Sequence, residues 1–227
     1  MTTLVRKSVR SGLAAVAAAA LLFSAPTGQA QIGGGLLGGG SIITVEQDWE
    51  LIVGTPDTGK CSPQLFIQMY PESGGDYCCQ FLINYNDQPK FSAGGVQIQV
   101  WQNSTVLDGN DNSPNQAVLQ NASETVTFTL VMTIQGSQLH FSAKNVSSPS
   151  FGDLNHLSTN VSYTPNSFAN YQTSDTVAKS GILLGANRVA SLTLKQVRKI
   201  NQSGTTQTEP AQIIYPAPTG GTGAIIN

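Results

Sequence analysis

The chain predicts an all-β antiparallel sandwich, and three features carry that expectation. Between residues 42 and 200, apolar and polar side chains alternate at period two in segment after segment. Gly, Pro, Asn and Asp punctuate those segments at turn spacing. No stretch repeats apolar residues at helical intervals, and no internal repeat interrupts the pattern. With 227 residues, the chain can bury a core without metal or cross-links.

Asp48–Val53 points Trp49, Leu51 and Val53 inward. Gln64–Tyr70 and Tyr77–Tyr85 read as strands joined by the turn Pro71–Asp76, and a simple hairpin sets Tyr70 opposite Tyr77. In Val96–Asn103 the core set is Val96, Ile98 and Val100, which leaves Gln97, Gln99, Trp101 and Asn103 facing water. Glu124–Gln135 buries Val126, Phe128, Leu130, Met132 and Ile134 opposite a row of threonines. Leu139, Phe141 and Ala143 alternate with His140, Ser142 and Lys144. Ala190, Leu192 and Leu194 alternate with Ser191, Thr193 and Lys195. The hydrated faces are rich in amides and hydroxyls, with little charge.

The flanks read differently. Arg6, Lys7 and Arg10 precede the apolar run Leu13–Ser24, and Gly28 and Ala30 supply the small residues of a cleavage site. Residues 1–30 are expected to be a bacterial-style secretory signal, so the protein is expected to be exported: secreted, periplasmic or on the cell surface. The apolar run is shorter than the roughly 20 residues a bilayer span needs, and no transmembrane segment is expected. Residues 31–41 form a Gly-rich flexible lead, and residues 201–227 read as a disordered Gly/Thr/Pro tail. The domain is therefore expected to span residues 42–200.

Composition narrows the partners. Eleven basic against thirteen acidic residues leave a net charge of −2 with no basic cluster, which argues against nucleic acid. Two histidines and three cysteines make a His/Cys metal centre a poor expectation. If the two strands flanking Pro71–Asp76 pair directly, Cys61 lies beyond disulfide reach of Cys78, and Cys78 and Cys79 point to opposite faces.

Residues 48–53, Phe91–Trp101 and Ser180–Leu194 resemble exported bacterial proteins that are similar to concanavalin A-like lectin and glucanase jelly rolls. In those folds a Gly-rich turn leads into the closing strand. The resemblance covers roughly residues 42–200 and implies a jelly-roll sandwich, with no activity attached to it.

Three constellations are candidate sites. Glu46, Asp48 and Glu50 form an E-x-D-x-E run like that of laminarinase-type glycosidases, where carboxyls ~5 Å apart serve retaining hydrolysis. Here Gln47 stands where that family is apolar, and the alternative is a strand whose Trp49 fills the core. Asp108–Asn112 alternates Asp and Asn as a calcium loop begins, yet Ser113 replaces the required glycine and Leu119 the final Glu. A polar loop without cofactor is expected there, with Ca2+ as the alternative. Gln97, Gln99 and Trp101 form the third, since sugars stack their C–H faces on aromatic rings and bond amides through hydroxyls. The alternative for Trp101 is rim packing.

No G-x-S-x-G elbow is present, and His140 is expected on a solvated face. The leading expectation is an exported, non-catalytic domain that binds a glycan or other cell-surface component, such as a surface protein, through Gln97, Gln99 and Trp101. A structural envelope or matrix protein is the first alternative. A glycoside hydrolase using Glu46, Asp48 and Glu50 is the second.

Overall fold

The computed structural model describes residues 40–54, 63–83, 96–111, 123–148, 157–184 and 189–216. Over these residues the chain forms the antiparallel β-sandwich expected from its alternation. The described strands are β1 (Ile42–Val53), β2 (Gln64–Met69), β3 (Tyr77–Ile83), β4 (Val96–Gln102), β5 (Thr105–Asp111) and β6 (Thr125–Gln135). They continue as β7 (Gln138–Ser147), β8 (Ser158–Ser162), β9 (Gly181–Leu184), β10 (Val189–Asn201), β11 (Thr206–Glu209) and β12 (Gln212–Tyr215). One helix, α1 (Thr173–Lys179), precedes β9. A seven-stranded sheet runs β11-β10-β1-β6-β7-β8 with β12 also on β10, and a five-stranded sheet runs β5-β4-β3-β2-β9.

Alternation places the core between the sheets. Trp49 and Leu51 of β1 and Phe128 and Leu130 of β6 meet Ile67, Phe81 and Ile98 from the smaller sheet. Phe128 bridges the layers, stacked on Phe81 at 4.6 Å between ring centroids and on Trp49 at 6.5 Å. Such aromatic pairs add about 0.5–1.5 kcal/mol to the burial of their area. The core sets expected of β4, β6 and β7 are all buried. In β10, Leu192 and Leu194 are buried as expected, but Ala190 is exposed and Val189 faces inward. Its ladder with β1 is irregular at Ile52/Val53 and again at Asp48/Trp49, and each irregularity moves the alternation by one residue.

Two edges are stitched by side chains and short strands. Thr159 of β8 donates to the Asp108 carboxylate of β5, and the Asn110 side-chain amide donates to the Ser158 carbonyl at 3.3 Å. Asp108–Asp111 is thus strand, paired to β4, where a polar loop was expected. Asp108 and Asn110 pair with the core-facing Val100 and Ile98, so on this edge strand they face the opposite sheet and reach β8.

The domain also reaches beyond residue 200. β11 pairs with Val197–Ile200 and β12 with Leu192–Leu194, so residues 206–215 belong to the sandwich and the expected disordered tail is corrected over that stretch. Average composition concealed a short run of β-formers, the β-branched Ile213 and Ile214 and the aromatic Tyr215, of which Ile214 is buried. The expected signal, residues 31–39 of the Gly-rich lead, and residues 217–227 lie outside the described residues. Among the described residues, no helix is long and apolar enough to cross a membrane.

Candidate functional site

The outer face of the five-stranded sheet carries the site, and one register decides what it displays. Met69 pairs with Cys79 and Gln68 with Gln80, one residue away from the expected Tyr70–Tyr77 pairing. A one-residue slip exchanges the faces of a strand. In the observed register Gln68, Gln80 and Gln99 form one row across β2, β3 and β4, while Cys78 lies beside Trp101. Past the end of that row the sheet opens into a hollow of about 230 Å³, with Gln68, Tyr70, Cys78, Gln80, Trp101 and Asn103 around it.

Trp101 is half-buried, and its indole N–H donates to Gln99 Oε1 at 2.8 Å. The Gln99 amide in turn donates to Gln97 Oε1 at 3.0 Å. Both glutamines are 0% exposed, which corrects the expectation that they face water beside Trp101. Period-two alternation separates polar from apolar faces, but it cannot tell a hydrated polar face from a covered one. Burial is tolerable here because each amide finds a partner within the ladder. Of the three residues expected to contact ligand, Trp101 alone reaches the hollow, and Gln97 and Gln99 hold its ring in place.

Two turns build the rim. Asn103 adopts φ 53° in the two-residue turn between β4 and β5, a left-handed backbone that Asn tolerates better than most residues. Its backbone N–H donates to the Asp76 carbonyl at 2.8 Å, lacing this turn to the one between β2 and β3. In that second turn Gly74 takes φ 70°, and Gly75 donates to the Glu72 carbonyl at 3.0 Å. A Cβ on Gly75 would lie 3.1 Å from Glu72 Cβ, so the turn is tight as well as laced. Asp76 and Asn103 are exposed at the rim.

Apart from the Asp76 carboxylate at the rim, the walls are polar and uncharged. Tyr70 donates to Gln68 Oε1 at 2.7 Å, and burial raises its phenol well above the ordinary range. Burial also pushes the Cys78 thiol up to about 11, with neighbouring Tyr70 and Gln80 pulling partly the other way. Cys78 is therefore a neutral thiol in the floor, poorly suited to nucleophilic work. Cys79, fully buried on the core face, is likewise free, and Cys61 lies outside the described residues.

The acidic trio lies elsewhere. Glu46, Asp48 and Glu50 face outward from the seven-stranded sheet, and each meets a cation of β10. Arg198 forks onto both oxygens of Asp48 and donates through Nε to Glu46 at 2.9 Å, while Lys195 reaches Glu50 at 3.1 Å. The Arg198 hydrogen bonds, opposed in part by burial and aided by Thr129, hold the Asp48 carboxyl below its ordinary value. A general acid needs the opposite shift. Trp49 and Gln47, which separate the trio, are buried on the core side. Among the described residues, no group of three His, Cys, Asp or Glu is arranged to hold a metal. His140 is half-buried on the outer face of β7, opposite Thr133 and Asn160.

No family model and no curated protein matches the chain. Among solved structures, it is similar to scytalido-glutamic peptidase with a transition state analog inhibitor, at 9% identity and a TM-score of 0.35, covering 78% of this chain and 85% of that one. It is also similar to the CBM2 module of Lactobacillus casei BL23 phage J-1 evolved Dit, at 13% identity and a TM-score of 0.25, covering 57% of each chain. At those scores neither likeness bears on the site.

Proposed function

We propose that this domain is an exported, non-catalytic module that binds carbohydrate in the hollow beside Trp101. The observation that carries the reading is the fixed indole. Its N–H is satisfied from behind by Gln99, so the ring, not its polar edge, is what Trp101 offers a ligand. Gln68, Gln80 and Asn103 stand around the same hollow with amide groups that both donate and accept. An aromatic surface ringed by amides suits a sugar, whose C–H face stacks while its hydroxyls bond in the ring plane. The signal-like leader, Arg6 to Ala30, supports export.

Trp101→Ala tests this reading. Affinity for a glycan identified on an array should fall by about three- to tenfold, the size of a lost stacking contact. The thermal midpoint should fall by only a few degrees, because Val96, Ile98 and Val100 carry the core packing of β4. Unchanged glycan binding, or a collapse in stability, would return Trp101 to a purely structural role.

A further inference from the structure

Resting on that reading, we infer that the ligand is an oligosaccharide of two or more rings without anionic groups, held across two adjoining hollows. The second hollow, of about 130 Å³, lies on the other side of the β2–β3 turn, where Pro71, Tyr77, Tyr163 and Pro165 meet. Gly75 and Asp76 border both hollows and form the ridge between them. Because Gly75 has no side chain, that ridge stays low beside the exposed Asp76 carboxylate.

The ridge is also fixed. Ser73 donates its N–H to the Asn170 carbonyl at 3.1 Å, and the Asn170 side chain returns a bond to Glu72 Oε1 at 3.1 Å. With the Asn103–Asp76 bond on the opposite side, the turn is anchored toward both hollows before any ligand arrives. Preorganisation of this kind lowers the entropy lost on binding an extended molecule.

Chemistry repeats across the ridge. Tyr77 and Tyr163 meet edge to face at 5.1 Å, giving the second hollow an aromatic wall as Trp101 gives the first. Burial, and after it the Glu72 carboxylate, pushes the Tyr163 phenol up to about 12, so it stays a neutral group. Glu72 and Asp76 supply carboxylate acceptors, and none of the described residues bordering either hollow is basic. Hydroxyl and amino groups are welcome in such a setting. Uronate and sulfate groups meet repulsion from these two carboxylates.

The experiment uses the full chain against an array running from monosaccharides to hexasaccharides in neutral, amino, uronate and sulfated forms. Affinity for uncharged chains should rise with length by roughly tenfold, a typical return for one added stacking subsite. Pro165→Arg, at an exposed position where the new side chain can fill the second hollow and pair with Glu72 and Asp76, should erase the gain with length and spare the shortest ligands. Trp101→Ala should weaken every length. Binding that ignores length, or that survives Pro165→Arg unchanged, overturns the two-hollow inference while leaving the Trp101 reading in place. Preference for uronate or sulfated chains overturns the charge assignment. Failure of every glycan to bind overturns both readings, and the length series on the unsubstituted chain decides this even without the variant.

Discussion

Two tryptophans in this domain make the same hydrogen bond and do opposite things with the rest of the ring. Trp49 donates to Gln47 Oε1 at 3.1 Å, and Trp101 donates to Gln99 Oε1 at 2.8 Å, each two residues along its own strand. Trp49 is 1% exposed and stacks near-parallel to Phe128, so both of its faces belong to the core. Trp101 keeps part of its surface at an open hollow. The glutamines differ in the same way. Gln47 is a junction whose amide also donates to Tyr171 at 2.7 Å and Thr176 at 3.1 Å, tying α1 and the segment before it to β1. Gln99 passes its hydrogen bond along its own strand to Gln97, on the outer side of the five-stranded sheet. A paired indole N–H therefore says nothing about whether a tryptophan is structural, and exposure of the ring is what separates the two.

The comparison breaks most visibly on truncation. Trp49→Ala should cost about 3–5 kcal/mol in urea unfolding, the usual range for emptying a core tryptophan, whereas Trp101→Ala should lose much less. Equal losses would erase the distinction. Gln47→Leu should come next, at about 2–4 kcal/mol, because it strands a buried indole N–H and removes partners from Tyr171 and Thr176. Gln99→Leu should cost less, since the half-exposed Trp101 can turn its N–H to water, and it should weaken glycan binding through a loosened ring. A reversed order of the two glutamines would show that the outer ladder, not the inner junction, is structural.

The smallest effect concerns charge on the other sheet. Arg198 holds the Asp48 carboxyl below its ordinary value, so the pair contributes stability above the ordinary carboxylate range and loses it as pH falls through the lowered value. Because both side chains are partly exposed, Arg198→Ala should cost no more than about 1 kcal/mol at neutral pH. The gap from the unsubstituted protein should narrow in unfolding measured below about pH 4, where carboxyls protonate. A gap that is constant with pH would mean the guanidinium acts through packing alone.

Most of the sandwich was legible in period-two alternation, because that signal reports the physics of a half-buried strand directly. The interior of β6 is a clear instance, with Val126 through Ile134 inward at every second position. Edge elements were not legible. β5 has Asp, Gly and Asn where strands are ordinarily β-branched, and β8 is five residues of which two are buried. The candidate site was half visible. Trp101 stood out as an aromatic residue among amides, but Gln68 and Gln80 join it only in the observed hairpin register, which no local pattern fixed. The glutamine spacing carried a signal all the same: Gln-x-Trp occurs at both tryptophans, and an amide two residues before an indole on one strand face is a ready acceptor for its N–H.

β10 runs for 13 residues, and its outer side is covered by two short strands that follow it in the chain. A bare edge of that length is a template on which a second chain can nucleate cross-strand aggregates. Protection thus arrives late in vectorial synthesis, only when residues 206–215 have emerged and folded back. Until then the sandwich is sticky along one side, so a chain ending near residue 205 is expected to aggregate even with its core and its Trp101 hollow already encoded.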